Sequence, residues 1–175
     1  MSYGMSGKIF HAPFLATNPG FKFKAIVERN EKQAATRYPD IISYDSIDQL
    51  INDEEIELIV VNTPNYTHFD FAQRALHAGK HVLIEKPAAV TSEEVKTLFS
   101  LGRNLNLQVM IYHNRRYNSD FLSTKQVIES GQLGSLVEVH FRIDRYRMDI
   151  GNKAFKENKD VPGNGLMYDL GSHLI

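Results

Sequence analysis

Residues 58–87 read LIVVNTPNYTHFDFAQRALHAGKHVLIEKP and carry the pattern from which the fold can be predicted. The apolar run Leu58–Asn62 predicts a strand, and Val82–Ile84 predicts a second one. Between them, Tyr66–Ala78 has apolar residues at helical spacing, and Gly79 follows where a helix C-terminus favours glycine. A strand, a helix and a second strand of these lengths form a βαβ unit, whose strands run parallel.

The same alternation continues on both sides of this unit. Phe23–Val27 and Val109–Tyr112 are further strand candidates. A short helix is predicted around residues 47–51, and a longer one after Thr91, which has Glu94 in capping-box spacing. Short, nearly all-apolar strands are typical of parallel sheets that are covered on both faces. We therefore predict an α/β fold with a Rossmann-type, doubly wound parallel sheet.

A glycine turn lies near the start of the chain, in Ser2-Tyr3-Gly4-Met5-Ser6-Gly7. It resembles the G-x-G-x-x-G fingerprint of dinucleotide-binding domains, with serine in the first glycine position. In that fingerprint the glycines let a pyrophosphate approach the backbone, and the N-terminus of the following helix favours the anion. The simpler alternative is a glycine turn of the kind that can precede any helix.

The end of the Phe23–Val27 strand bears on the choice of dinucleotide. Glu28 follows it, about twenty residues beyond the glycine turn, where an acidic residue would bind the adenosine ribose of NAD. Arg29 comes next and could instead pair with the 2′-phosphate of NADP. Because Glu28 would repel that phosphate, the pair favours NAD over NADP. Glu28 could also simply cap the helix after the strand.

The pattern changes in the last third of the chain. A helix is predicted from Ser119 to about Gly131, and in Leu136–Arg147 apolar and polar residues then alternate. This period of two predicts a strand with one apolar face, as in an open sheet. The polar stretch Met148–Val161 lacks periodicity and predicts a loop.

The change of pattern indicates two domains. We assign residues 1–116 to a dinucleotide-binding domain and residues 117–175 to the beginning of a second, α/β domain with an open sheet. A doubly wound domain is expected to have a strand before its glycine turn, and one alternating strand needs partners to bury its apolar face. We therefore expect the sequence to be truncated at both ends.

The chain resembles a known family through motifs that follow its strands or lie near its end. These motifs are Thr63-Pro64-Asn65-Tyr66-Thr67-His68, Glu85-Lys86-Pro87, Asn114-Arg115-Arg116-Tyr117 and Gly163-Asn164-Gly165-Leu166-Met167-Tyr168-Asp169-Leu170-Gly171-Ser172-His173. In this order and spacing they resemble the glucose–fructose oxidoreductase and inositol dehydrogenase family, Gfo/Idh/MocA, over essentially the whole chain. The resemblance implies a nicotinamide-binding domain followed by a substrate domain whose open sheet commonly mediates dimer or tetramer contacts.

The same resemblance implies roles for particular residues. Lys86 would lie near both the nicotinamide and the substrate, and Asp169 and His173 would accompany it, with His173 as general acid/base. Asp169 and His173 are four apart, so on a helix they would share one face. An imidazole titrates near neutrality, which suits proton transfer, and an ammonium can stabilise an alkoxide. A solvated loop lysine and a surface helix pair are the alternatives.

Contacts to the cofactor are predicted in the same motifs and in the glycine turn. The predicted set is Ser2, Gly4, Met5, Ser6, Gly7, Glu28, Arg29, Thr63, Pro64, Asn65, His68, Glu85, Lys86 and Arg116. Asn65 and His68 could instead cap the helix that follows them, and Arg116 could be a solvated charge at the domain junction.

The composition narrows the possible partners. The 175 residues have a formal net charge of −1, which gives no electrostatic reason to expect nucleic acid or a membrane as a partner. The absence of cysteine excludes thiolate catalysis and zinc–thiolate sites, and the histidines form no recognisable metal-ligand set. We expect a cytoplasmic homo-oligomer that binds a small, sugar- or polyol-like substrate.

We therefore hypothesise an NAD(P)-dependent oxidoreductase that transfers a hydride between its cofactor and a hydroxyl or carbonyl carbon. A protein of another class, one that binds NAD(P) for regulation without chemistry, is the first alternative. An inactive, truncated remnant of the enzyme is the second.

Overall fold

The structure is a computed structural model that describes residues 2–144, 146, 148, 158 and 160–173. The chain divides into two units, Met1–Ile111 and Tyr112–Ile175. This division falls shortly before the predicted boundary between residues 116 and 117. Each unit is described by itself.

The first unit alternates strands and helices, as the apolar runs predict. Its strands are β1 (Ala25–Val27), β2 (Ile42–Tyr44), β3 (Leu58–Val61), β4 (His81–Glu85) and β5, which extends to the start of the second unit (Val109–Tyr112). Its helices are α1 (Ala12–Thr17), which follows a wide π-helical turn over Gly7–His11, α2 (Ile47–Ile51), α3 (His68–His77) and α4 (Ser92–Asn104). Short 3₁₀ turns cover Ala34–Thr36 and Asn65–Thr67.

Parallel pairing organises the strands into two groups. β1 pairs in parallel with β2, and β3 pairs in parallel with β4, which has β5 on its other side. Ser2 forms a single parallel bridge with Val27, so the first residue of the glycine turn lies beside β1. Parallel strands joined by helices confirm the predicted α/β fold of the Rossmann type.

The helices begin and end where the sequence supplies the required chemistry. Ser46 and Thr91 both form capping boxes, at the starts of α2 and α4. In each, the hydroxyl satisfies a free backbone N–H that the first turn of a helix leaves without a partner. Gly79 follows α3 with a φ of 76°, a left-handed conformation that glycine adopts without strain.

The core lies between the β3–β4 pair and the helices α3 and α4. Ile59, Leu76, Val82, Ile84 and Leu98 are fully buried there. Burying one such side chain contributes about 1.5–3 kcal/mol, and α3 packs against β3, β4 and α4 at once. The core therefore fixes the carboxyl ends of β3 and β4 relative to each other.

The second unit begins with the 3₁₀ turn Asn114–Tyr117 and the helix α5 (Ser119–Glu129). Asn118 rather than Ser119 stands at the cap position of α5. Gly131 follows with a φ of 73°, which agrees with the predicted end of this helix.

The predicted strand over Leu136–Arg147 is wrong for the residues that the structure describes. Residues 136–144 adopt no strand, although their sequence alternates between apolar and polar residues. A strand exists only where a neighbour satisfies its backbone N–H and C=O groups, and the described part of this unit provides none. Arg145, Arg147 and most of the predicted loop Met148–Val161 lie outside the described residues.

The last described segment also departs from expectation. Helix α6 covers only Leu166–Asp169, and a 3₁₀ turn over Gly171–His173 follows it. The spacing of Asp169 and His173 predicted that they share one face of an α-helix. In the structure they do not, because the α-helix ends between them. Gly171 is a poor helix former, and a 3₁₀ turn aligns residues three apart rather than four. Among the described residues, no helix is long and apolar enough to cross a bilayer.

Candidate functional site

The glycine turn packs so closely that one of its glycines cannot be replaced without a shift. A Cβ added to Gly7 would lie 2.1 Å from the carbonyl oxygen of Ser2 and 3.1 Å from Nδ2 of Asn62. At Gly4 the corresponding Cβ would lie 3.5 Å from Oγ of Ser2, an ordinary contact. Gly7 thus permits the close approach of the turn to the sheet, and Gly4 lies exposed where a ligand can reach its backbone.

Asn62 holds the start of this turn in place. Its Oδ1 accepts a hydrogen bond from the Ser2 backbone N–H at 2.7 Å, and its Nδ2 donates to the Ser2 carbonyl at 2.9 Å. Nδ2 also lies 3.2 Å from the hydroxyl of Ser6. The amide replaces the hydrogen bonds that a neighbouring strand would make. The sequence analysis missed Asn62, although its place directly after β3, at the sheet edge where ligands bind, could have pointed to it.

A cleft of about 430 Å³ opens beside the turn, at the carboxyl ends of β1 and β3. Six of the predicted cofactor residues line it, namely Ser2, Gly4, Glu28, Arg29, Thr63 and Pro64. Nine residues that were not predicted complete the lining, namely Tyr3, Val27, Asn30, Glu31, Gln33, Ile47, Tyr66, Thr67 and Phe71. The volume and the position suit a nucleotide, since open α/β sheets bind ligands beyond the carboxyl ends of their strands.

Glu28 lies in this cleft but directs its carboxylate into the protein. One oxygen accepts hydrogen bonds from the backbone N–H groups of Gln33 and Ala34, at 2.9 and 3.1 Å, and the other accepts one from the Ser43 hydroxyl at 2.8 Å. These bonds occupy three of the roughly four acceptor directions of a carboxylate. The capping role that the sequence left open is therefore the one that Glu28 adopts in the structure.

One basic group lines the same cleft, and a second contacts residues of its lining. Arg29 is exposed there, next to Asn30. The ammonium of Lys8 donates a hydrogen bond to the side-chain oxygen of Gln33 at 2.6 Å and lies 5.2 Å from the centre of the Tyr3 ring. Glu31 adds one negative charge to the lining.

The predicted reactive lysine follows β4 directly. Lys86 is half-buried, and its backbone N–H donates to Oε2 of Glu85 at 3.3 Å. The other carboxylate oxygen of Glu85 lies 2.8 Å from Nε2 of His11, which is 6% exposed. The peptide bond between Lys86 and Pro87 is cis. Glu85, predicted as a cofactor contact, is thus bonded to the protein on both oxygens.

His68, predicted as a cofactor contact, is buried and bonded to backbone carbonyl groups on both ring nitrogens. Its side chain is buried at 1% exposure, at the start of α3. Nδ1 lies 2.7 Å from the Pro87 carbonyl oxygen, and Nε2 lies 2.8 Å from that of Thr63. Burial lowers the pKa of His68, since it disfavours the charged imidazolium, although both carbonyl groups act in the opposite direction. The ring joins the segment after β3 to the segment after β4.

The remaining predicted residues are divided between the two units. Met5 is about half exposed, and Asn65 begins the 3₁₀ turn that follows Pro64. Arg116 is exposed in the second unit, where Asp169 and His173 are half-buried.

Within the described parts of the chain, no cluster of three or more histidine, aspartate or glutamate side chains could hold a metal ion.

Two family profiles cover nearly the whole chain. Residues 3–113 match the GFO/IDH/MocA profile described as "Oxidoreductase family, NAD-binding Rossmann fold", and residues 121–175 match the GFO/IDH/MocA C-terminal domain. The chain belongs to the GFO/IDH/MocA oxidoreductase family. The family profile accounts for the glycine turn and the cleft as parts of an NAD(P)-binding Rossmann domain, and it confirms the resemblance that the motifs carried.

Similar members of the GFO/IDH/MocA family occur in fungi and bacteria. An uncharacterized oxidoreductase of Schizosaccharomyces pombe is 43% identical over 98% of this chain and 48% of its own length. The scyllo-inositol 2-dehydrogenase (NADP(+)) IolW of Bacillus subtilis is 33% identical over 100% of this chain and 48% of its own. An oxidoreductase crystal structure from Bacillus cereus superimposes with a TM-score of 0.85, at 37% identity, over 99% of this chain and 49% of its own. The chain spans about half the length of the curated relatives that it matches.

Proposed function

We propose that this chain provides the cofactor-binding half of an oxidoreductase that moves a hydride between NADP and a hydroxyl or carbonyl carbon of a polyol or sugar. One observation carries the proposal. Three features lie at the carboxyl ends of strands in this fold: the glycine turn, the cleft and the Lys86 segment. The strands β1–β2 and β3–β4 pair in parallel, and Ser2 bridges to the end of β1. In open α/β sheets this is the edge at which a dinucleotide binds.

The residues at the turn fit the pyrophosphate of such a cofactor. Gly4 is exposed at the cleft, and Gly7 has no room for a side chain, so the backbone can approach an anion closely. Ser2, in the first glycine position of the fingerprint, has both backbone polar groups bonded to Asn62, which keeps the turn open towards the cleft. The N-terminus of the helical segment that begins at Gly7 adds a favourable dipole.

In the proposed chemistry, Lys86 and His173 act on the substrate oxygen and its proton. When bound, the nicotinamide accepts or supplies the hydride. The ammonium of Lys86 donates a hydrogen bond to the substrate oxygen and stabilises the alkoxide that develops on it. For His173 we propose general acid/base transfer of the hydroxyl proton, with Asp169 favouring the charged imidazolium. The roles of Asp169 and His173 rest on the family resemblance alone.

NADP rather than NAD is proposed because of the way in which Glu28 is bonded. The sequence favoured NAD because a free carboxylate would bind the ribose and repel a 2′-phosphate. In the structure both oxygens of that carboxylate accept hydrogen bonds from the protein, from two backbone N–H groups and the Ser43 hydroxyl, and are therefore already engaged. Arg29 is left on the exposed wall of the cleft, where it can form a bidentate pair with a phosphate.

Turnover by the longest natural polypeptide that contains this chain tests the proposal. We expect inositols or aldoses to reduce NADP, as followed by nicotinamide absorbance. Lys86→Met and His173→Ala should each lower kcat by at least about a hundredfold, because each removes a group that acts on the substrate oxygen. Arg103→Ala, an exposed change at the end of α4, is the control and should leave kcat unchanged.

Two results would contradict the proposal. Unimpaired turnover by the Lys86→Met and His173→Ala variants would show that the assigned roles are wrong. Tight NADP binding without turnover on the whole panel would favour the regulatory protein that binds its dinucleotide without chemistry. Oligomerisation and a cytoplasmic location remain proposals, to be tested by light scattering and by fractionation of cells.

A further inference from the structure

The Glu85 carboxylate connects two parts of the first unit that are far apart in sequence. Its Oε1 lies 2.8 Å from Nε2 of His11, 74 residues away, and its Oε2 accepts the backbone N–H of Lys86 at 3.3 Å. His11 ends the turn that begins at Gly7, and Glu85 ends β4. One side chain therefore links the helical end of the glycine turn to the backbone of the reactive lysine.

Burial makes this link rigid. His11 is 6% exposed and the Glu85 side chain is 14% exposed, so water competes little for either partner. A carboxylate taken from water needs its hydrogen bonds, and the imidazole N–H and the backbone N–H supply them on the two oxygens. Without His11, one oxygen would lose its protein donor, and the carboxylate could rotate away from the Lys86 N–H.

We propose that His11 is a positioning residue for Lys86 and that it acts through the Glu85 carboxylate. This inference rests on the proposed function, in which the Lys86 ammonium contacts the substrate oxygen. His11 itself touches neither the substrate nor the reacting atoms. It fixes the carboxylate, the carboxylate fixes the backbone at Lys86, and the backbone sets the direction of the lysine side chain.

The kinetic test separates positioning from cofactor binding. His11→Ala should lower kcat about tenfold to a hundredfold and leave the KM for NADP within about twofold, because a misplaced catalytic group costs rate rather than cofactor affinity. His11→Gln should retain most of kcat, since its amide N–H can reach the same carboxylate oxygen. His81→Ala is the control, because His81 begins the strand that Glu85 ends and its ring accepts a hydrogen bond from the Gln108 backbone rather than contacting the Glu85 carboxylate.

A double-mutant cycle tests the path through Glu85. If His11 acts only on this carboxylate, His11→Ala should have no further effect on kcat in a Glu85→Ala background. Additive losses would overturn the inference, because His11 would then act by another route. A raised KM for NADP with an unchanged kcat would overturn it as well, since it would make His11 a cofactor-side residue.

A spectroscopic test distinguishes failure of this inference from failure of the proposed function. The lysines of this chain are reductively methylated with ¹³C, and the Lys86 resonance is identified by its absence in Lys86→Arg. His11→Ala should shift that resonance, and both His11→Gln and His81→Ala should leave it in place. An unmoved Lys86 resonance in folded His11→Ala overturns the inference whatever the activity, whereas a shifted resonance in a protein without turnover would contradict only the proposed function.

Discussion

Gly7 and Ser2 are packed so tightly that an added Cβ at Gly7 would stand 2.1 Å from the Ser2 carbonyl oxygen. The atoms involved are backbone, so no flexible side chain can move aside. Asn62 restrains the same carbonyl by donating to it at 2.9 Å. The glycine of the fingerprint is therefore required here by the packing of the turn, before any cofactor is considered.

Replacing Gly7 with alanine should consequently damage both stability and cofactor binding. We expect Gly7→Ala to lower the free energy of unfolding by about 1–3 kcal/mol, as overpacking commonly does, and to abolish measurable NADP binding. Gly4→Ala is the matched control for stability, because its Cβ would make an ordinary contact at 3.5 Å. Urea titrations of this chain measure the first effect and calorimetry the second. Equal unfolding midpoints for the two variants would contradict the packing argument.

The amide of Asn62 is the basis of a second prediction. Asn62→Ala should lower the free energy of unfolding by about 1–3 kcal/mol, because two partly buried backbone groups of Ser2 lose their partner. NADP binding should weaken in parallel as the turn loosens. Asn18→Ala removes an exposed amide that accepts one local hydrogen bond from Gly20, and it should change stability by less than about 0.5 kcal/mol. If Asn62→Ala and Asn18→Ala lowered the free energy of unfolding equally, the hydrogen bonds from Asn62 to Ser2 would not stabilise the fold more than an exposed local hydrogen bond does.

Local patterns predicted most of the elements in the first unit. The apolar runs at Leu58 and Val82 identified β3 and β4, and the Thr91 capping box identified the start of α4. Such features depend on neighbours in sequence, and burial of the strands on both faces makes their signal strong.

Contacts between distant residues could not be predicted in the same way. His11 pairs with Glu85 across 74 residues, and no periodicity in the sequence marks that pair. The alternation in Leu136–Arg147 describes a strand that forms only if a partner is present, so its pattern was clear and its prediction still failed. For Glu28, the sequence allowed two orientations of one carboxylate, and only the hydrogen bonds to Gln33, Ala34 and Ser43 distinguish them.

Arg29 provides a test of cofactor preference that does not depend on turnover. The probes are 2′,5′-ADP, which carries the 2′-phosphate of NADP, and 5′-AMP, which lacks it. Arg29→Ala should weaken 2′,5′-ADP binding to this chain about tenfold to a hundredfold, as expected for loss of a charge-assisted pair worth about 1.5–3 kcal/mol, and leave 5′-AMP binding unchanged.

Arg37→Ala is the control for this comparison. Arg37 is exposed and lies against the Tyr38 ring, outside the residues that line the cleft. Its replacement lowers the positive charge of the domain by the same amount, so it measures the general electrostatic contribution. If Arg37→Ala weakened 2′,5′-ADP binding as much as Arg29→Ala, a specific contact between Arg29 and the phosphate would be ruled out.

His68 predicts how stability changes with pH. Burial lowers the pKa of His68 below its ordinary value of 6.5, so the folded chain binds a proton less readily than the unfolded chain does. As pH falls through the ordinary value, the unfolded state therefore takes up protons first, and the free energy of unfolding decreases until the folded histidine is protonated too. Above about pH 7.5 the ring is neutral in both states and contributes no pH dependence.

His68→Gln removes this titration while keeping an amide that can reach the Pro87 or Thr63 carbonyl. Between about pH 7.5 and pH 5, the free energy of unfolding of the unmodified chain should fall more steeply than that of His68→Gln, as measured by urea titration at each pH. The other histidines and the carboxylates contribute equally to both proteins, so the difference in slope isolates His68. Parallel curves would mean that the buried ring binds its proton as readily as an exposed one, and the desolvation argument for His68 would fail.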